Sequence, residues 1–248
     1  MIDHLIADRR TFCRGLAAAT TLALTASPLA GLAQTPAALP LKIGMIGAGR
    51  EGGALGALWV KAGHAVVFAT RHPEQLKDFV AGLGPLACAG TPAQAIAFAD
   101  VVVIVVPYAA VKQIGQDFGA ALASKALVLE VSNPSVPRDG DIGAWARDKG
   151  AGLADAELLP GSRVVRGFNA INYLKLRAAA KGEGGHSGVP LAGDDPQALA
   201  VASALARETG YEPVIVGGLA MGKYLIPGTP LAGEHTPDEL RQIAAGLK

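Results

Sequence analysis

The chain has 248 residues, 50% hydrophobic and 17% charged, with 22 basic and 21 acidic side chains. That length and apolar content suit one medium α/β domain with a full core and exclude a long disordered tract. The charge balance excludes the basic surplus that nucleic acid demands, and Cys13 and Cys88 are too few for a disulfide framework.

Asp8-Arg9-Arg10-Thr11-Phe12-Cys13-Arg14 precedes a modest apolar stretch from Gly15 to Leu29. Paired arginines, a phenylalanine two residues on and a weakly apolar run resemble a bacterial twin-arginine export signal, with a cleavage site at Gly31-Leu32-Ala33. Asp8 departs from the pattern, since Ser or Thr is usual there. An uncleaved anchor is the alternative, but the run is short, threonine-containing and interrupted by Pro28, which makes a poor spanning helix. The expectation is a protein exported folded to the periplasm, with the cytoplasm as alternative and no membrane span in the mature chain. Without residues 1–33 the basic and acidic residues are equal in number, and Cys88 remains alone, expected in a buried strand. Residues 34–40 read as a linker, 41–226 as a nucleotide-binding domain and 227–248 as a tail with a terminal helix.

An apolar strand from Leu41 to Ile46 enters the turn Gly47-Ala48-Gly49-Arg50-Glu51-Gly52, and a helix to about Lys61 follows. Glycine suits such a turn because a side chain would hold a pyrophosphate away from the backbone N–H groups and the helix N-terminus. A second strand, Ala65 to Ala69, ends at Thr70, Arg71 and His72, where an NAD site usually carries Asp or Glu for the ribose hydroxyls. A hydroxyl beside a guanidinium instead binds a 2′-phosphate, and Arg50 could add a second positive charge. The cofactor expected is NADP(H).

The rest alternates as a parallel sheet requires. Helix is predicted for Pro73–Val80, Thr91–Phe98 (Thr91 capping, Pro92 first), Ala109–Leu122, Asp194-Asp195-Pro196 to about Thr209, and Pro237–Leu247. Strand is predicted for Leu86–Cys88, the unbroken apolar run Val101–Val106, Ala126–Val131, Arg163–Gly167, Val189–Ala192 and Glu212–Val216. Lys181 to Gly188 reads as a flexible glycine loop, and Asp139 and Asp141 as loop residues flanking Gly140. The fold expected is Rossmann-type α/β, a doubly wound, mainly parallel sheet with a compact C-terminal α/β continuation.

Ligands in such sheets lie outside the carboxyl ends of the strands, at the switch in strand order. Val106-Pro107-Tyr108, Asn133-Pro134 and Asn169 should therefore border the site, with either Asn available to nicotinamide or ribose and each equally readable as a turn residue. The five histidines show no metal spacing, no serine sits in a nucleophile elbow, and His186-Ser187 reads as surface loop. No acid–base pair is evident, so no catalytic residue is assigned. Hydride exchange with a flavin-like ring needs mainly stacking and alignment, which suits that absence.

The chain from Lys42 to about Ile226 resembles the NADP oxidoreductases dependent on coenzyme F-420, a deazaflavin. The carriers are Gly-Ala-Gly-Arg-Glu-Gly at 47–52, Thr70-Arg71, Ala99-Asp100 with the valines through Pro107, and Val131-Ser132-Asn133-Pro134. Leu159 through Val165, Phe168-Asn169 and Ala192-Gly193-Asp194-Asp195-Pro196 complete them. The resemblance implies that Thr70 and Arg71 take the 2′-phosphate and that 106–108 and 133–134 border the nicotinamide. Ala48 stands where the family often has Thr, and Pro227 to Lys248 is unlike the family's C-terminal region. The expected activity is hydride transfer between NADPH and a flavin-type or deazaflavin acceptor, a small redox molecule, and a homodimer is admitted. The alternatives are an NADP(H)-binding sensor or partner subunit without turnover, and a reductase of a small imine or carbonyl.

Overall fold

A computed structural model describes residues 39–180 and 187–247. The export-signal reading at 1–33 and His186 in the glycine loop lie outside the described residues. One eight-stranded sheet, in the order β3-β2-β1-β4-β5-β6-β7-β8, carries the fold. Its strands are β1 (Lys42–Ile46), β2 (Ala65–Ala69), β3 (Ala87–Gly90), β4 (Val101–Ile104), β5 (Leu127–Glu130), β6 (Val164–Arg166), β7 (Gly188–Gly193) and β8 (Glu212–Gly217). Every pairing is parallel except β6 with β7, where Arg166 stands opposite Ala192.

Strand side chains alternate between faces, and here both faces are covered. Ile43, Met45, Val101 and Val103 pack on one side with Leu55 and Trp59 of α1 (Arg50–Lys61). Ile46, Val102 and Ile104 pack on the other with Ile96 of α3 (Pro92–Phe98) and Val111 of α4 (Val111–Ala123). Burial on both faces is why Val101–Val106 reads as unbroken apolar sequence. The remaining helices are α2 (Lys77–Leu83), α5 (Val136–Lys149), α6 (Ala151–Leu158), α7 (Tyr173–Ala180), α8 (Pro196–Glu208) and α9 (Pro237–Gly246).

Caps that act over three residues follow the sequence. Thr91 accepts from Gln94 N in a capping box, and Asp195 accepts from Gln197 N and Ala198 N. Asp194 does not cap α8; it accepts from Leu219 N at 3.0 Å. Predicted Pro73–Val80 divides into a 3-10 turn, Pro73–Leu76, and α2. Helices α5, α6 and α7 were not expected, and the loop reading of Asp139 and Asp141 is corrected by α5. Gly140 (φ 59°, ψ −137°) kinks α5, and Pro137 and Gly143 break its apolar pattern. The buried His64 accepts from Leu41 N at 2.9 Å and meets Glu208 at 2.6 Å, tying β1 to the end of α8. Cys88 lies in β3, half-buried rather than fully buried. At the far end, Leu231 and Leu240 of the tail pack with Ala192 and Val214.

Candidate functional site

Strand order reverses between β1 and β4, which sit side by side while the chain proceeds outward through β2 and β3 on one side and β5 on the other. This is the place where an open α/β sheet leaves a crevice beyond its strand ends. The turn from β1 into α1 lies there. Gly47 adopts φ +105°, and a Cβ on it would run into the Val105 carbonyl oxygen. A Cβ on Gly52 would strike the Gly47 carbonyl oxygen. Gly49 is exposed, and a Cβ there would meet nothing within 4 Å. Two glycines thus close the turn on itself, and Gly49 with Ala48 leaves its outer edge open in front of the first, unpaired N–H groups of α1.

Thr70, Arg71 and His72 follow β2 along the same edge. Thr70 is half-buried and its Oγ1 accepts from His72 N at 3.4 Å. Arg71 is exposed, and among the described residues no carboxylate pairs with it. One acid does approach: Glu74 lies 3.5 Å from His72 Nδ1.

Arg50 and Glu51 turn toward α7. The Tyr173 ring lies 5.7 Å from the Arg50 guanidinium and 5.3 Å from that of Arg177. Glu51 accepts a hydrogen bond from the Tyr173 backbone, yet its Oε1 is buried without a partner. Burial pushes its carboxyl up to about 7, with the Tyr173 N–H opposing.

The strand-end loops meet on the other side of the turn. Pro107 is exposed, Val106 half-buried and Pro134 buried. The Tyr108 side chain is wholly buried and donates to Asp155 at 2.7 Å, so only its backbone remains for the crevice. Asn133 Nδ2 donates to the Asn169 carbonyl, and Asn169 Nδ2 donates to the carbonyls of Glu130 (3.2 Å) and Ser132 (3.3 Å). With both amide nitrogens committed, Asn133 Oδ1 and Asn169 Oδ1 are left buried with no donor. Buried acceptors without donors are uncommon in proteins and costly, and they suit a carboxamide N–H or a ribose hydroxyl. Phe168, just before Asn169, takes φ +62°, an outlier for a bulky residue. Its ring sits edge-to-face with Trp59 and Tyr211, at 6.1 and 6.4 Å.

Asp139 is also part of this arrangement. It accepts from Ser135 N (2.9 Å), Ala109 N (3.2 Å) and the Arg138 guanidinium (2.8 Å). Burial pushes its carboxyl up, but these donors outweigh burial and hold it below the usual range. Arg138 and Arg147 in turn donate to the carbonyls of Asn133 (2.6 Å) and Pro134 (3.3 Å).

Sequence reasoning missed one set of groups altogether. Glu130, Asp155, Arg166 and Tyr108 form a buried polar cluster that the sequence reading does not anticipate. The available signal was a carboxylate and a guanidinium each set in an apolar strand run, Leu-Val-Leu-Glu and Val-Val-Arg. Among the described residues no group of His, Cys, Asp and Glu could hold a metal ion, and no helix is long and apolar enough to cross a membrane.

A glycine turn at a helix start, at the switch point of a doubly wound sheet, is the arrangement of a Rossmann-type dinucleotide site. Residues 42–134 match the family described as NADP oxidoreductase coenzyme F420-dependent. Metalloreductase STEAP3 of Rattus norvegicus is 30% identical over 196 residues, 77% of this chain. The chain spans 37% of that relative's length. A hypothetical protein from Sinorhizobium meliloti is 26% identical, with TM-score 0.64 over 79% of this chain and 95% of its own. An Arthrobacter protein carrying the assignment F420-dependent NADP-reductase is 21% identical, with TM-score 0.60 over 74% of this chain and 87% of its own, a likeness of fold.

Proposed function

We propose that this chain binds NADP(H) across the crevice and exchanges a hydride with a flavin-type or deazaflavin acceptor. The observation that carries the cofactor choice is Arg71, exposed beside Thr70 at the end of β2 with no carboxylate among the described residues engaging it. The open edge at Gly49 receives the pyrophosphate, and Thr70, Arg71 and His72 receive the 2′-phosphate. Val106, Pro107, the Tyr108 backbone, Asn133, Pro134 and Asn169 border the nicotinamide, whose C4 supplies the hydride when the dinucleotide is bound.

Arg71→Ala should weaken NADPH binding by about 1.5–3 kcal/mol, the scale of a charged hydrogen bond, while NADH binding is nearly unchanged in calorimetry. Equal losses for the two nucleotides would remove Arg71 from the 2′-phosphate site. Stopped-flow absorbance with FMN, FAD and coenzyme F-420 separates the acceptors, and failure of all three to oxidise bound NADPH overturns the hydride-transfer reading. Tight binding without turnover would then favour a nucleotide-responsive sensor. The rat relative's name supports a second acceptor class, a metal ion, testable with a ferric chelate in the same instrument.

A further inference from the structure

The polar cluster under the crevice has a composition that stability alone does not explain. Arg166, at the end of β6, is wholly buried, as are Glu130 and Asp155. Its Nη1 donates to Glu130 Oε2 (2.7 Å) and Asp155 Oδ2 (2.5 Å), and its Nη2 donates to the Ser132 carbonyl (2.9 Å). Glu130 Oε1 accepts from Ser132 N at 2.9 Å, and Ser132 Oγ accepts from Val106 N at 3.2 Å. Tyr108 closes the far side on Asp155.

Two carboxylates face one guanidinium away from water. Burial and the Asp155 charge push the Glu130 carboxyl well up, with the Arg166 guanidinium opposing. Burial pushes the Asp155 carboxyl up as well, with the Arg166 guanidinium opposing. A buried ion pair of this kind is commonly no more stable than an apolar set of the same volume, and here Arg166 Nε is also left without a partner. What the cluster does uniquely is join the three loops that leave β4, β5 and β6. Ser132 is held from both its N–H and its carbonyl, and Asn169 hangs its amide on the same Ser132 carbonyl.

We propose that Arg166 is a positioning residue: its fork, braced by Asp155 and Glu130, fixes the Ser132 peptide and so the Asn133 and Asn169 amides that receive the nicotinamide end of the dinucleotide. The inference rests on NADP(H) occupying the crevice. The adenosine end, at Gly49 and Thr70–Arg71, lies on β1 and β2, outside the cluster. Loss of the fork should therefore loosen one half of the ligand and spare the other.

Arg166→Lys keeps the charge but cannot reach both carboxylates and the Ser132 carbonyl together. Tyr108→Phe removes a single hydroxyl at the cluster's edge and is the variant that decides if Arg166→Lys does not fold. Calorimetry with NADPH and with 2′,5′-ADP, which lacks the nicotinamide, separates the two ends. For Arg166→Lys the NADPH affinity should fall about tenfold, the loss of one or two misaligned hydrogen bonds. The 2′,5′-ADP affinity should stay within about twofold. Tyr108→Phe should show the same selectivity with a smaller change, and the fluorescence of bound NADPH should shift in both variants. Parallel loss of both ligands, or no change in either variant that folds, overturns the positioning role. A wild-type protein that binds neither ligand removes the NADP(H) reading, and this inference with it.

Discussion

A methyl group added at Gly49 would meet nothing within 4 Å, whereas at Gly47 or Gly52 it would enter a carbonyl oxygen. Gly49→Ala should therefore cost less than about 1 kcal/mol of stability, the scale of a helix-cap change, yet weaken NADPH binding by about 1–3 kcal/mol through lost backbone hydrogen bonds. Gly47→Ala and Gly52→Ala should each cost about 2 kcal/mol or more of stability from strain and overpacking. Urea melts beside calorimetry distinguish the two patterns, and a destabilised Gly49→Ala would mean the open edge is not open. Glu51 adds a pH dependence at the same turn. Its folded-state pKa of about 7 lies above the ordinary 4.5. The stability from its retained proton is complete below 4.5 and is lost as pH rises through 7. Above 7 the carboxylate also adds a negative charge at the turn proposed to take the pyrophosphate. The NADPH dissociation constant of wild type, divided by that of Glu51→Gln, should climb between about pH 6 and 8; a ratio flat with pH would place Glu51 away from the phosphates.

At the scale of elements, the segments that the sequence predicts well are those whose cause is local. Thr91 and Gln94 make a capping box within four residues, as do Thr236 and Glu239, and both helix starts were readable. The Val101–Val106 run was readable because burial on two faces leaves no polar position. Helix α5 was not, because what holds its first turn comes from elsewhere in the chain: Asp139 reaches the Ala109 N–H, thirty residues away. Asp139→Ala would strip donors at Ser135, Ala109 and Arg138 of their acceptor together. A loss of about 2–3 kcal/mol is expected, the range for charged hydrogen bonds, with a lower urea midpoint as the readout. A change under about 0.5 kcal/mol, the scale of an ordinary surface substitution, would mean that water replaces Asp139.

Across the whole molecule, the turn after β1 and the end of β2 were legible as one unit, and the loops on the other side of the crevice only in outline. Gly47 to Arg71 lie within one continuous β-α-β unit that starts at Lys42, so spacing along the chain is nearly distance in space. Val106, Asn133 and Asn169 come from three separate loops, and the Glu130–Asp155–Arg166 cluster that joins them draws on β5, α6 and β6. No spacing rule encodes such a meeting. The side-chain direction of Tyr108 was equally hidden, since its partner Asp155 lies 47 residues on in a helix that the sequence does not announce.

The reversal at β7 changes which end of a strand matters. Through β6, chain direction leads toward the crevice; β7 and β8 run back from it. Because Arg166, the last residue of β6, stands opposite Ala192, Gly188 begins four residues higher, about 13 Å at the usual rise per residue. Gly188 and its neighbour Glu212 thus form a parapet above the ends of the parallel strands. Tyr211, one residue before that rim, touches Phe168, and burial, then the charges of Glu234 and Glu51, push its hydroxyl pKa up. The crevice is consequently walled on its β7–β8 flank. Residues at the start of β8, not its end, therefore stand on the crevice side of the sheet.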